Sequence, residues 1–200
     1  EPMKPQVVTY ELNKLLENNA IVISDSGTIA TWSARYIDIR GEMQFSLSGM
    51  LATMANGLPD SSGASVADPG RQVVCVVGDG GLTMLMGEIA TLVKYKRPVK
   101  VIVIKNNVLG EIRWEQMAHE GNPQFGVDLQ PIDSDGYARC CGAAGFTIED
   151  PKDAESTLRQ ALAHPGPAVI EAVVDPNEPP LPGNITAEQA LHFAQALAKG

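Results

Sequence analysis

Val73-Val-Cys-Val-Val-Gly-Asp-Gly-Gly81, a segment of helical periodicity, and then Val99-Lys-Val-Ile-Val-Ile-Lys-Asn-Asn107 form the stretch that decides the fold. Each β-branched apolar run ends in oxygen-bearing residues, and the segment between repeats its apolar residues at helical spacing, so the whole reads as strand, helix, strand. Such crossovers are almost always right-handed and lay the two strands parallel. Asp79 and Asn106, 27 residues apart, therefore emerge at the same edge of one sheet. Open α/β sheets bind ligands beyond that edge, outside the carboxyl ends of their strands.

The flanking sequence extends the same alternation. Val7, Val8, Leu12, Leu15 and Leu16 predict a helix from Gln6 to about Asn18, Ile21-Val-Ile23 a first strand, and Ala30 to Ile37 a further helix. Leu82, Leu85, Met86, Ile89, Leu92 and Val93 give the central helix, about 82–95, one broad apolar face between strands 73–77 and 99–104. Asp150 and Pro151 supply a cap and first turn for a helix to about Ala163, Pro165-Gly-Pro167 stops it, and Ala168 to Val174 reads as a later strand. Thr186-Ala-Glu-Gln189 is a capping box opening a final helix. The expected fold is α/β, a three-layer open parallel sheet with helices on both faces. Residues 1–200 form one domain in this reading, with 176–200 a Pro-rich extended connector followed by the C-terminal helix.

A carboxylate and a carboxamide converging on a helix start, beside the backbone amides of Gly80 and Gly81, suit a hard divalent cation bridging to a phosphorylated ligand. Mg²⁺ prefers about six oxygens and borrows some from phosphates, so Asp79, Asn106 and a nearby backbone carbonyl suffice as the protein's share. A Gly-Asp-Gly turn alone is common between strand and helix; its coupling to Asn106-Asn107 gives it weight. A dinucleotide site is disfavoured, because Thr83 stands where a third glycine is expected and Lys105-Asn106, not an acid, ends the second strand.

These residues resemble the thiamine diphosphate-dependent enzymes. Gly78-Asp79-Gly80 with Asn106-Asn107 looks like their cofactor signature. The context Gly-Asp-Gly-Gly-Leu-Thr-Met-Leu-Met-Gly-Glu88, Tyr95-Lys-Arg-Pro-Val-Lys and Asn106-Asn-Val-Leu-Gly110 is most similar to pyruvate oxidases and pyruvate:quinone dehydrogenases, with acetolactate synthase a close cousin. The resemblance runs from about Ile21 to the Pro-rich segment. It implies that Asp79, the Asn106 side chain and the Val108 carbonyl hold Mg²⁺ on the diphosphate. It implies that Gly78, Gly80, Gly81 and Thr83 contact the diphosphate, that the turn Asp25-Ser26-Gly27-Thr28 closes over the same phosphates, and that Met54 lies under the bent cofactor. Read without the resemblance, Met54 is core filler and the Asp25 turn an ordinary Asx turn.

Composition bounds the rest. A net charge of −9 argues against nucleic acid as a partner. No long apolar run or signal sequence is evident, so a cytoplasmic protein is expected, with membrane contact disfavoured for the short, Ala-rich final helix. Cys75 reads as buried filler in a strand; Cys140 and Cys141 have neither zinc nor redox spacing. His119, His164 and His192 are scattered, and Asn184-Ile-Thr186 matters more as a helix start than as a formal glycosylation acceptor.

Enzymes of this family are several times longer. They carry a pyrimidine-binding domain whose glutamate activates the cofactor and, in oxidases, an FAD domain; neither is found in these 200 residues. The chain is therefore expected to be a diphosphate-binding domain, monomeric and inactive alone, whose missing partner is the pyrimidine-binding domain. Three stretches are more polar than the family pattern: Asp60-Ser-Ser-Gly-Ala-Ser-Val-Ala-Asp68, Arg97, and Ser134-Asp-Gly136. Apolar groups exposed on an isolated domain promote aggregation, so these stretches suggest an engineered, solubilised fragment; a natural homologue with other subunit contacts is the alternative. A non-catalytic interaction domain and a fragment of an acetolactate synthase-like carboligase are the competing functional readings.

Overall fold

The computed structural model describes residues 2–180 and 185–200. Its centre is a six-stranded sheet of β1 (Ile21–Ser24), β2 (Gln44–Ser46), β3 (Val73–Gly78), β4 (Lys100–Lys105), β5 (Ala144–Ile148) and β6 (Ala168–Val173). The strands lie in the order β2-β1-β3-β4-β6-β5, and every pairing is parallel. Parallel sheets are covered on both faces, and the side chains of β3 alternate accordingly. Val74 and Val76 join one core with Val8 and Leu12 of α1 (Pro5–Leu15), Ile29 and Trp32 of α2 (Thr28–Tyr36), and Leu158 of α8 (Ala154–Ala163). Val73, Cys75 and Val77 join a second core with Leu58 of α3 (Gly57–Ala67), Leu82 of α4 (Asp79–Leu85), Ile89 and Leu92 of α5 (Glu88–Lys94), and Ala138 of α7 (Ser134–Cys140). The expected three-layer parallel α/β architecture is the one observed.

The decisive strand-helix-strand unit forms with one local difference. The helix begins at Asp79 itself and divides into α4 and α5 at Met86–Gly87, where the backbone stays right-handed but tightens. Ile89 N–H bonds to Met86 O and Ala90 N–H to Gly87 O, three residues back rather than four. The helix expected from Asp150 likewise opens with a single tight turn at Pro151–Asp153, capped by Asp150 Oδ1 on Lys152 N, before α8 proper.

The polar stretches turn inward more than an interface stripped of apolar groups would. In α3, Ser61 and Ser65 are buried, and their hydroxyls donate to Gly57 O and Ser62 O, which makes them tolerable in a helix facing the sheet. Arg97 Nη1 donates to Ser65 O at the far end of that helix. Ser134 and Asp135 are buried at the start of α7, where Asp133 caps the helix through Gly136 N and Asp135 binds Arg139 and Thr147.

After β4 the chain forms a short helix α6 (Gly110–Trp114) and a wide turn, Glu115–His119, with hydrogen bonds five residues apart. The C-terminal helix α9 (Ala187–Lys199) starts at the expected capping box, with Thr186 Oγ1 accepting from Gln189 N and Gln189 Oε1 from Thr186 N. It docks on the wide turn, and its Phe193 stacks on Trp114 at the end of α6 at 5.5 Å. Of the connector expected over 176–183, residues 181–183 lie outside the described ones, as does Asn184. Among the described residues no helix is long and apolar enough to cross a membrane.

Candidate functional site

From β1 the chain moves outward through α2 to β2, then returns through α3 to β3 on the other side of β1. The carboxyl ends of β1 and β3 are thus a topological switch point, where the connections leave toward opposite faces and a crevice must open. An open cleft lies there. Its walls include Ser26, Gly27 and Thr28 after β1, Gly78 to Gly81 after β3, Asn106, Val108 and Gly110 after β4, and Met54 from the loop before α3.

Asp79 is the first residue of α4 and is 8% exposed. Oδ2 accepts the Asn107 amide at 2.7 Å and Oδ1 the Gly80 amide at 3.1 Å. Because Gly78 pairs with Ile104 across the sheet, these bonds tie the end of β3 to the turn leaving β4. Asn107 adopts a left-handed φ of 58°, a conformation that asparagine tolerates. Past it, Val108 bridges Asp128 in antiparallel fashion, and the bonds Leu109 N to Val127 O and Leu129 N to Asn107 O flank that bridge. In such a pair the bridging residue's own N–H and C=O face the other way. Val108 N indeed bonds Asn106 Oδ1 at 3.1 Å, and Val108 is among the residues that line the cleft.

Burial pushes the Asp79 carboxyl up to about 6, against the opposing pull of the Asn107 and Gly80 amides and the more distant Lys105 charge. Burial and then the neighbouring Glu115 charge also raise Glu111, which lines the cleft too. Lys105 does not neutralise Asp79: its ammonium pairs with Glu171 at 2.7 Å and bonds Ile132 O. An anionic ligand entering between Asp79 and Glu111 needs a cation to bridge it. The donors present, one carboxylate, one amide oxygen and one backbone carbonyl, are the hard oxygens that Mg²⁺ takes. Among the described residues no three or more His, Cys, Asp or Glu side chains cluster as a metal site, and a set of this mixed kind does not require it.

A family model described as "Thiamine pyrophosphate enzyme, C-terminal TPP binding domain" matches residues 25–172, from the end of β1 through β6. The chain belongs to this family. It is 37% identical over 198 residues to the "Putative thiamine pyrophosphate-containing protein YdaP" of Bacillus subtilis (strain 168), covering 99% of the chain and 34% of that protein. It is 34% identical over 183 residues to the acetolactate synthase large subunit of Pyropia yezoensis, covering 88% of the chain and 30% of the relative. Acetolactate synthase isozyme 3 large subunit of Escherichia coli (strain K12) is 34% identical over 163 residues, 81% of the chain and 28% of the relative. The TPP binding domain thus spans about a third of the length of the curated relatives it matches.

Ten of the twelve residues singled out in the sequence line the one cleft, and two do not. Thr83 bonds back to Gly80 O at 2.9 Å and borders an adjoining hollow with Asp79, Leu129 and Ile132. Asp25 lies fully buried beneath the cleft floor. Sequence reasoning passed over Leu109, Gly110, Glu111 and Ile112. Gly110 was a usable signal, since a Cβ there would meet Thr28 Cγ2 at 3.0 Å and Asn106 Nδ2 at 3.3 Å, so a side chain would press on both walls of the cleft.

Proposed function

We propose that this TPP binding domain holds thiamine diphosphate through Mg²⁺ bound by Asp79, the Asn106 side-chain oxygen and the Val108 carbonyl, and that its parent enzyme decarboxylates pyruvate or a related 2-oxo acid. The observation that carries the reading is the buried Asp79 carboxylate, held by the backbone amides of Gly80 and Asn107 at a cleft whose lining, among the described residues, includes no lysine or arginine. In this reading Ser26, Gly27 and Thr28 close over the phosphates from α2, Gly78, Gly80 and Gly81 receive them at the start of α4, and Thr83 supports Gly80 from behind. Met54 supplies the apolar surface beneath the bend of the cofactor. Bound thiamine diphosphate provides a carbon nucleophile that attacks a ketone and an electron sink for the carboxylate's departure. The chain's residues bind and orient it; the pyrimidine-binding domain of the parent activates it.

Oxidation of the product, with FAD held elsewhere in the parent, gives the pyruvate oxidase form of the reading. The names of the acetolactate synthase relatives favour a second form, condensation with another 2-oxo acid. In either form the isolated chain is a monomer without turnover, and measurable pyruvate decarboxylation by it would contradict this. A surface engineered for solubility is supported by exposed Asp60 and Gly63 and opposed by Met50, Leu51 and Phe125, each more than four-fifths exposed.

The test is calorimetric titration of thiamine diphosphate with Mg²⁺ into the chain and into Asp79→Ala. Binding by the first alone, lost when Mg²⁺ is chelated, is expected. Equal binding by both would refute the metal assignment, and binding by neither would favour a non-catalytic interaction domain.

A further inference from the structure

Asp25 belongs to the motif that the resemblance assigns to phosphate contact, yet its carboxylate faces the protein interior. It is 0% exposed, and its own amide is fixed by Val76 O at the end of the sheet. Oδ2 accepts the Ala55 amide at 3.0 Å. The amides of Ser26, Asn56 and Gly57 are turned toward the same carboxylate, although Oδ1 makes no hydrogen bond. Two glycines make the space: a Cβ on Gly81 would fall 2.0 Å from Asp25 Oδ2, and one on Gly57 would fall 3.2 Å from Asp25 Cβ.

The segment that Asp25 grips is strained. Ala52 and Ala55 have φ of 47° and 73°, the left-handed region that costs an alanine energy and persists only where the surroundings enforce it. Around Ala52, among the described residues, the loop bonds only to itself, Ala52 N to Ser48 O and Thr53 N to Ser48 Oγ, and Met50 and Leu51 project into solvent. Between the two left-handed residues sits Met54, whose side chain lines the cleft and whose Cε lies 3.5 Å from where a Gly80 Cβ would be. The hydrogen bond at Ala55 is therefore the anchor that joins the Met54 turn to the sheet.

We propose that Asp25 is a positioning residue: its buried carboxylate pins the left-handed turn at Ala55 to the end of β1 and thereby holds Met54 in the cleft, without itself touching the cofactor. Met54's place beneath the cofactor rests on the reading given above; the pinning does not. Glycine at 81 is then required to house this carboxylate, whatever it contributes to phosphate binding.

Amide hydrogen exchange and the methionine methyl NMR spectrum of the full chain test the pinning without any cofactor. In the wild type the Ala55 amide is expected to exchange as slowly as the amides of β3, and fast exchange there overturns the proposal even if a variant fails to fold. Asp25→Ala is expected to speed Ala55 exchange by at least about tenfold and to broaden or shift the Met54 methyl signal, assigned with Met54→Leu, while β4 and β6 stay protected. Asp25→Asn, which keeps an acceptor for Ala55, is expected to stay within about threefold of the wild type. An Asp25→Ala chain with unchanged Ala55 exchange and Met54 signal refutes the pinning. Thiamine diphosphate titration with Mg²⁺ then reads the other half: weakening in Asp25→Ala with recovery in Asp25→Asn supports positioning, whereas equal weakening in both points to direct contact and overturns it. If the wild type itself does not bind, the cofactor reading fails while the exchange data still decide the pinning.

Discussion

Gly81→Ala is the sharpest perturbation the fold offers, because it adds one methyl at a place where nothing can move cheaply. The added carbon would stand 2.0 Å from Asp25 Oδ2, 3.1 Å from Asp25 Cγ and 3.3 Å from Val77 Cγ2. The first distance is more than about 1 Å inside ordinary contact. Asp25 is enclosed at the end of β1, and Gly81 is the third residue of α4, directly after β3, so neither side is a flexible chain end. Overpacking of this kind costs about 1–3 kcal/mol. If Asp25 swings aside instead, the buried Ala55 amide loses its acceptor at a cost of about 1–3 kcal/mol. Alanine's better helix propensity returns at most about 1 kcal/mol. A net loss of up to about 3 kcal/mol is expected, read by urea denaturation, with a fall in Tm of up to about 12 °C for a chain of this size. Gly78→Ala is the control, since its φ is −76° and a Cβ there meets nothing within 4 Å; its stability should stay within about 0.5 kcal/mol of the wild type. Gly80→Ala should fall between them, because it presses only on the ends of Leu109 and Leu129. Asp25→Ala combined with Gly81→Ala should lose less than the sum of the two single changes. If Gly81→Ala proves as stable as Gly78→Ala, the carboxylate does not occupy that space and the packing argument fails.

Two further outcomes follow from burial. In chelator, the Asp79 carboxyl holds its proton to about 6 when folded, against an ordinary value of 3.8, so between those values the folded state binds more protons than the unfolded. Its contribution to stability therefore falls as pH rises from about 4 to about 6, by up to about 3 kcal/mol, and is level above. The stability difference between wild type and Asp79→Asn, from urea titrations across that range, should decline accordingly, and a difference that is flat or rising would contradict it. Burial pushes the Cys75 thiol up to about 12 while Cys140 is exposed, so a thiol reagent should modify Cys140 in the native protein and Cys75 only on unfolding. Mass spectrometry of the labelled chain settles which cysteine reacted.

The sequence revealed those elements whose own residues carry the signal. Strands β3, β4 and β6 lie at the sheet's centre or beside it, buried on both faces, and their predominantly apolar runs, interrupted in β6 by Glu171, say so. The Thr186 box was legible because the cap's bonds are local. Edge strands β2 and β5 were not, because Gln44-Phe-Ser46 and Ala144-Gly-Phe-Thr-Ile148 have weak patterns and become strands through their pairing with β1 and β6. Helix α3 was hidden by serines whose hydroxyls return to carbonyls of their own helix. At the site, most of the cleft-lining residues were legible by type and spacing, whereas the inward turn of Asp25 was not. A motif names a residue without saying which way its side chain faces, and the direction of Asp25 depends on Gly57 and Gly81, far from it in the chain.

The charge arrangement around β4 explains why the cleft should favour a cation with an anion rather than an anion alone. Lys105 stands at the end of β4, close enough to Asp79 for its charge to be felt, yet its ammonium is held by Glu171 and Ile132 O. Glu171 in turn spends its other oxygen on Ser134 N, so the lysine anchors the start of α7 and is not available to the cleft. Asp79 is left with amide donors that orient its carboxylate without neutralising it, and Glu111 adds to the negative potential across the cleft. On the proposed reading a bare diphosphate would be repelled by this pair, whereas a divalent ion would gain from Asp79 and carry the diphosphate with it. Freeing Lys105 by Glu171→Gln would release a competing cation beside Asp79. The expected consequence is weaker Mg²⁺-dependent binding of thiamine diphosphate, and unchanged binding would show that Lys105 has no influence on the site.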